Sequence, residues 1–409
     1  MIADMHLVER HIINRNHKFW SQIDRQAFLS KNLWNLANYH CRQHFFATGK
    51  KLGFTELYHL VSQSVDYLVL PTKVSKQIIR RLDKAWVSFF QAIKAWVKNP
   101  YSFLEKPKIP GYKDKTKGRN IVPYPGESVS KKAVKKGICQ LSMCEIAVPT
   151  KASKVIEARI IPKACCYVLE IVYEQETENL VSGEAIAGVD LGIDNLMAVT
   201  SNQAGVKPLL INGKPLKSIN QLYNKRKAKR QAIEASRQIR DLTHKRNCRV
   251  DNYLHTASRR VIDWCLVHGI GTLIIGKNEG WKQKINIGRR NNQEFVSIPH
   301  ARLIEMLSYK AELVGIKVVI TEEAYTSVAS ALDNDPLPKY GEAKPKFSGN
   351  RIFRGLYKTG KGLLINADTN GSLNIARKVI PDFIKGIEAR PFVPVILPLW
   401  KTYERDICL

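Results

Sequence analysis

Two aspartates stand where a carboxylate needs a counter-charge. Asp190 lies within Gly188-Val189-Asp190-Leu191-Gly192, inside an otherwise apolar strand that a glycine turn closes. Asp368 opens a helix in Asn366-Ala367-Asp368-Thr369-Asn370-Gly371-Ser372-Leu373-Asn374-Ile375-Ala376, with Asn370 and Asn374 on one helical face beside it. A carboxylate buried alone is costly or shifts its pKa, so something positive should meet it. The plain structural alternatives are a turn cap for Asp190, a task Asp194 could do more cheaply, and a helix N-cap for Asp368. Two convergent acids from distant segments can instead hold a divalent cation, and a third usually completes a two-metal cage for phosphodiester cleavage.

The charge of the whole chain favours a polyanionic partner. Its 409 residues carry 65 Lys plus Arg against 36 Asp plus Glu, a formal charge of +29. Such an excess repels itself until a polyanion neutralises it, and long nucleic acid is the commonest one. Hydrophobic residues make up 44%, enough for real cores, and the length suggests two or three domains. No apolar span near twenty residues and no signal peptide is found, so no membrane role is expected and the cytoplasm is the expected compartment. Among the cysteines, Cys139, Cys144, Cys165 and Cys166 could form a four-sulfur metal site. The adjacent Cys165 and Cys166 would point to opposite faces of a strand, which favours buried free thiols.

The elements that must position these groups divide near residue 180. Residues 1 to about 20 show no clear period. Helical spacing runs over 24–48, 63–70 and 75–97, where Ile78, Ile79, Leu82, Trp86, Phe89, Phe90 and Ile93 make one stripe. The opposite face carries Lys76, Arg80, Arg81, Lys84 and Lys94, either a solvated face or a contact for nucleic-acid backbone. Pro and Gly then open a basic loop over 106–120, with Lys106, Lys108, Lys113, Lys115, Lys117 and Arg119 around Tyr112. It suits phosphates and a stacked base, or else serves as a solvated linker. Strand patterns over 142–150 and 153–173 suggest a small barrel or sheet. From Glu184 onward the order is strand, strand, strand, helix, strand, helix, strand, helix: a ribonuclease H-like α/β sheet. Within it, Lys225, Arg226, Lys229 and Arg230 load a basic helix, and Lys282, Arg289 and Arg290 a polar loop that either contacts the substrate strand or connects helices.

The segment Ala187 to Gly192 resembles the first split segment of the RuvC-like nuclease in TnpB proteins, encoded by bacterial insertion sequences and related to type V CRISPR effectors. NADTNGSLN, Asn366 to Asn374, resembles the third, whose Asp is catalytic. Lys31 to Tyr39 (KNLWNLANY), Lys106 to Tyr112 and His255 to Ile262 are also similar to the family, so the likeness runs over essentially the whole chain. The resemblance implies α/β plus α+β architecture. Residues 1–180 would form a wedge β-barrel with a helical recognition insertion over roughly 24–100, and 181–409 a RuvC-like domain. The implied activity is RNA-guided cleavage of double-stranded DNA beside a short motif, with guide RNA as partner and Mg²⁺ or Mn²⁺ as cofactor. A nuclease-inactive RNA-guided DNA-binding regulator and a DNA strand-transfer transposase are the competing functions.

Two departures from the family matter. Where it has a catalytic Glu ending the second segment, this chain has Gly276 in IIGKNEGWKQ. The replacement acid is expected at Glu322, which ends the next apolar strand, Val318 to Thr321. Glu323 on the opposite face and Glu279 in the following loop are the alternatives. The second departure is the family's zinc ribbon. Tyr325-Thr326-Ser327 is present, but no cysteine occurs between Cys265 and Cys408, so no structural zinc is expected there. A reduced ribbon-like insert is expected over about 326–365, with Phe347, Ile352 and Phe353 supplying a small apolar contact.

Overall fold

A computed structural model of the protein describes residues 4–178, 181, 183–277, 296–343, 345–385 and the backbone of 395–397. The chain divides into two compact units, residues 3–176 and, with the first two residues, 177–409.

The first unit sets four helices, Trp20–Thr48, Phe54–Val61, Val65–Leu68 and Thr72–Lys98, against an antiparallel sheet. Its strands are β1 (Asp4–Ile13), β2 (Val122–Pro125), β3 (Ile138–Gln140), β4 (Ala147–Pro149), β5 (Val155–Pro162) and β6 (Tyr167–Glu176). Four of them form one sheet in the order β1-β6-β5-β2, while β3 and β4 pair as a separate ribbon. The apolar stripe Ile78, Ile79, Leu82 and Trp86 is fully buried in one core with Leu33 of the first helix and Ile160, Leu169 and Ile171 of the sheet. The first helix stops at Gly49, whose φ of 68° suits glycine and ends the hydrogen-bond ladder on Phe45.

β1 falls in the stretch that shows no sequence period. Its inward residues Met5, Leu7, Glu9 and His11 mix polar with apolar, and its outward residues include exposed Val8 and Ile12. Pairing with β6, more than 150 residues away, makes it a strand. Glu170 of β6 is buried between Arg10 of β1 and Arg159 of β5, accepting hydrogen bonds of 2.9 and 2.7 Å. Against the upward push of burial, the two guanidiniums hold its carboxyl below the usual range.

In the second unit β7 (Ala185–Leu191), β8 (Asn195–Ser201) and β9 (Leu209–Asn212) form an antiparallel meander. β10 (Ile270–Gly276) and β11 (Lys317–Thr321) continue it in parallel on the β7 side. β12 (Asn350–Phe353), β13 (Leu356–Lys358) and β14 (Leu364–Asn366) make a small separate sheet, and β15 (Val395–Leu397) pairs parallel with β9. Alternation along the strands divides the six-stranded sheet between two sets of helices. Val189, Leu191 and Ile275 pack on the helices Ser236–Val267 and His300–Leu313, through Leu254, Val261 and Leu303. Ile274 packs on the helix Ala367–Val379 through Leu373, Ile375 and Ala376. Gly188 faces that same helix: a side chain there would strike the Ser372 carbonyl and the Ala376 methyl. The close approach is fixed by Ser372 Oγ, which donates to the Gly188 carbonyl at 2.8 Å and lies 2.8 Å from Thr200 Oγ1.

The cysteine-free insert is held mainly by polar contacts. Ile352 and Phe353, expected to pack, are 41% and 71% exposed; Tyr357 and Ile365 are buried instead, and the Phe347 ring lies 6.2 Å from that of Tyr325. Asp333 accepts from Ser330 Oγ, Ser348 Oγ and the Gly360 amide, and Asp335 from the Ser330 and Ser348 amides. Two carboxylates thus tie together three segments of the insert. Among the described residues no helix is long and apolar enough to cross a membrane.

Candidate metal centre

The β7 alternation that buries Val189 and Leu191 on one face turns Asp190 to the other, against the helix Ala367–Val379. Its carboxylate occupies the space beside Gly371. An ideal Cβ there would lie 2.6 Å from Asp190 Oδ2 and 3.2 Å from Cγ, closer than side chains tolerate. The same helix brings Asp368. Asn366 caps it by accepting from the Asp368 and Thr369 amides at 3.0 and 3.1 Å, so the capping role weighed as the plain alternative for Asp368 is filled by Asn366. Asp368 Oδ2 accepts from Asn195 at 2.8 Å, and Oδ1 faces Arg351 at 3.3 Å.

Of the candidate glutamates, the one the structure sets beside Asp190 is not the expected Glu322. Glu322 lies away from Asp190: Lys378 donates to its Oε1 at 2.6 Å, the Tyr340 amide approaches Oε2 at 3.4 Å, and the ammonium holds its carboxyl below the usual range. Glu323 is the glutamate beside Asp190. The register explains the choice. Gly276 pairs with Thr321, and Ile274 with Val319, on the face that meets the helix Ala367–Val379. Continuing by twos from Val319 and Thr321 leads to Glu323, whereas Glu322 continues from the exposed Ile320. Glu323 also fills the place that a side chain at position 276 would take: an ideal Cβ on Gly276 would lie 2.7 Å from its Cγ and 2.7 Å from its Oε1. Glu279 lies outside the described residues.

Two of the three carboxylates are pushed toward neutrality. Burial and the neighbouring Asp368 push Asp190 up to about 7, partly offset by Arg351. Burial and Asp190 push Glu323 up to about 8. Like charges held together in a site poor in water demand a proton or a cation. In donor chemistry, a hard, all-oxygen set drawn from β7, the segment after β11 and a helix fits Mg²⁺ or Mn²⁺ and suits Zn²⁺ poorly. Beside it opens a cleft of about 500 Å³ lined by Asp194, Asn195, Lys214, Arg351, Arg354 and Asp368. Asp194 is tied to Lys217 at 2.8 Å and to Arg354 at 3.0 Å, so it braces the cleft wall. Asn195, Lys214, Arg351 and Arg354 carry no signal in the sequence beyond their polarity, because their roles come from folding distant segments together.

Asn370 and Asn374 lie beside Asp368 on the helix but are fully buried and structural. Asn370 accepts from the Ala331 amide and donates to the Ala329 carbonyl, while Asn374 donates to the carbonyls of Thr326 and Ala329. They anchor the segment that follows Glu323.

The basic residues expected to contact nucleic acid separate into two groups. In the first unit the 106–120 loop is bound to the helix Trp20–Thr48. Lys31 donates to the Lys115 carbonyl at 2.6 Å, Asn35 exchanges two hydrogen bonds with Lys113, and Asn38 and Arg42 both donate to the Pro110 carbonyl at 3.0 Å. Arg119 makes a bidentate pair with Asp24 at 2.8 and 2.7 Å. The KNLWNLANY segment is therefore the loop's mooring. Tyr112 is 48% exposed beneath the Arg42 guanidinium; Lys106 and Lys113 lie over Trp96 and Trp34, and Lys108 pairs with Glu105. Arg80 and Lys84 are exposed, while Lys76 is half-buried over Tyr58. In the second unit Lys225, Arg226 and Lys229 are exposed, and Arg230 half-buried, on the helix Lys214–Gln231. Lys282, Arg289 and Arg290 lie outside the described residues.

The model of a family described as probable transposase, OrfB of IS605, matches residues 170–282, and that of a Cas12f1-like TNB domain matches residues 300–375. The CRISPR-associated endodeoxyribonuclease Cas12f2 of Micrarchaeota archaeon (strain CG1_02_47_40) is 27% identical over 225 residues, 52% of this chain and 40% of that protein. Among solved structures, the chain is similar to a Cas12f1–sgRNA–target DNA complex, with a TM-score of 0.48, 14% identity and 88% and 82% of the two chains covered. It is also similar to the mini-RNA-guided endonuclease Cas_phi3, with a TM-score of 0.42, 10% identity and 95% and 94% covered. The chain is thus similar to the insertion-sequence family over residues 170–282 and to the Cas12f1-like TNB domain over residues 300–375, and it spans less than half the length of the Cas12f2 relative.

Proposed function

We propose that the protein is an RNA-guided DNA endonuclease whose metal centre is built from Asp190, Asp368 and Glu323. The observation that carries this is the Glu323 carboxylate lying in the space over Gly276 and beside Asp190, which restores a three-acid set that the sequence alone leaves incomplete. On this reading the six-stranded sheet with the helix Ala367–Val379 is the ribonuclease H-like nuclease, and the first unit is the wedge with its helical insertion. Mg²⁺ or Mn²⁺, when bound, would polarise the attacking water and stabilise the departing 3′ oxygen. Asp190, Asp368 and Glu323 would hold the ions. Asn195 and Arg351 orient the two oxygens of Asp368. Lys214, Arg351 and Arg354 give the adjoining cleft a positive wall suited to the phosphates of the strand being cut.

Sequence choice would lie in pairing between guide RNA and target, with a short adjacent motif read on the duplex. The chain would act in the prokaryotic cytoplasm, on the nucleoid. The supporting observations are the +29 charge and the moored basic loop of the first unit. RNA should co-purify with the protein from its native locus and dissociate steeply with salt. Guided cleavage by RNA-loaded Asp190→Asn, Asp368→Asn and Glu323→Gln proteins tests the centre, with loss in all three expected. RNA-guided binding with no cleavage by the wild type would favour a DNA-binding regulator instead, and joining of cut ends would favour a strand-transfer transposase.

A further inference from the structure

We propose that Gly276 is a positioning residue: the room left by its missing side chain is the seat of the Glu323 carboxylate, so a side chain at 276 and an acid reaching in from 323 exclude each other. This rests on the reading of Glu323 as the third metal-holding acid.

The backbone does not ask for glycine here. Gly276 is absent from the positions with positive φ and pairs regularly with Thr321 as the last rung of the β10–β11 ladder. Glycine within a strand is unfavourable and offers nothing to pack, so its presence calls for a reason in space. An ideal Cβ would meet three atoms: Ile375 Cδ1 at 2.6 Å, Glu323 Cγ at 2.7 Å and Glu323 Oε1 at 2.7 Å. Ile375 is fully buried among Ile274, Leu373, Ala376 and Phe383 and has little space into which to retreat. The group free to yield is Glu323, which follows the end of β11 and whose carboxylate would leave the side of Asp190. The same device recurs across the centre. Gly371, within a helix where glycine costs about 1 kcal/mol relative to alanine, leaves the space taken by Asp190 Oδ2. Two of the three carboxylates thus lie where a neighbouring element has given up a side chain. Position 276 should accept the acid itself if the acid at 323 is withdrawn, because both would fill one volume from adjacent parallel strands.

The test measures Mn²⁺ binding to the full chain by electron paramagnetic resonance, alongside thermal unfolding and guided cleavage. Gly276→Ala should weaken Mn²⁺ binding about 10-fold or more, as Glu323→Gln does, with a fall in unfolding temperature from the Ile375 contact that Ile375→Val relieves without restoring Mn²⁺ binding. Adding Glu323→Gln to Gly276→Ala should cost nothing further, because both changes remove one carboxylate from one place. Gly276→Glu combined with Glu323→Ala should recover Mn²⁺ binding and part of the cleavage. Should Gly276→Ala fail to fold, Glu323→Ala with Ile375→Val clears the atoms it strikes and should restore the fold; persistent unfolding would overturn the proposal. Wild-type Mn²⁺ binding by Gly276→Ala, with Glu323→Gln impaired, overturns the glycine's role and leaves the three-acid centre standing. Wild-type binding and cleavage by Glu323→Gln would overturn the centre, and the proposal with it.

Discussion

The moored loop of the first unit and the carboxylate cluster of the second are both concentrations of like charge, and they are built on opposite principles. Around the loop, the Lys31 ammonium, the Asn35 and Asn38 amides and the Arg42 guanidinium meet backbone carbonyls, and Arg119 meets Asp24. The loop's shape is complete without a ligand. Around the cluster, two acids are lifted toward neutrality by burial and by each other, with Arg351 as partial compensation. That arrangement is stable only at a cost that a bound cation would remove. A charged region whose shape is already fixed fits a surface that must present itself to a partner, and a buried cluster of like charges fits a centre that must capture an ion.

Breaking the cluster should therefore abolish chemistry without harming the fold. Asp190→Asn, Asp368→Asn and Glu323→Gln should each lower guided cleavage at least about 100-fold. Their unfolding temperatures without metal should not fall, since repulsion is relieved; calorimetry in chelator checks this. Breaking the mooring should do the reverse. Asn38→Ala strands the buried Trp86 indole N–H, 3.1 Å from Asn38 Oδ1, and leaves the Pro110 carbonyl to Arg42 alone, at a cost of about 2 kcal/mol in denaturant unfolding. A metal-free stability loss in the cluster variants equal to that of Asn38→Ala would erase the distinction.

Much of the second unit is legible in the sequence because its strands and helices carry clean periods: Ala185 to Val189 and Gly271 to Ile275, which read as strands, and the helical stripe Ile304, Leu307 and Ala311 lie within observed elements, while Val314, read as part of that stripe, falls one residue past the helix end. Asp190 and Asp368 stand out because polar residues interrupt apolar patterns. β1 is hidden because Glu9 and His11 occupy its inner face and its partner strand is distant. The choice between Glu322 and Glu323 depends on strand register, which adjacent acids at a strand's end cannot reveal. The Ile352 and Phe353 contact fails because Asp333 and Asp335 do by hydrogen bonding what apolar packing was expected to do.

Smaller effects sharpen the contrast. Replacing Lys106, Lys108 and Lys113 together by alanine should weaken RNA binding whatever its sequence and lower the salt slope by about 2, as two or three phosphate contacts are lost. An unchanged slope in filter-binding titrations would remove the loop from the RNA surface. Glu322→Gln should be the mildest change. Its pair with Lys378 is partly exposed at the glutamate, so unfolding should shift by less than about 1 kcal/mol, with cleavage near wild type. A 100-fold loss there would transfer to Glu322 the role given to its neighbour.

The central claim, that Glu323 replaces the acid absent at Gly276, is tested most directly by anomalous diffraction from crystals soaked in Mn²⁺. The account predicts an anomalous peak within about 2.0–2.3 Å of carboxylate oxygens from Asp190, Asp368 and Glu323 together. A peak ligated by Glu322, or by the two aspartates with Glu323 turned away, would contradict it.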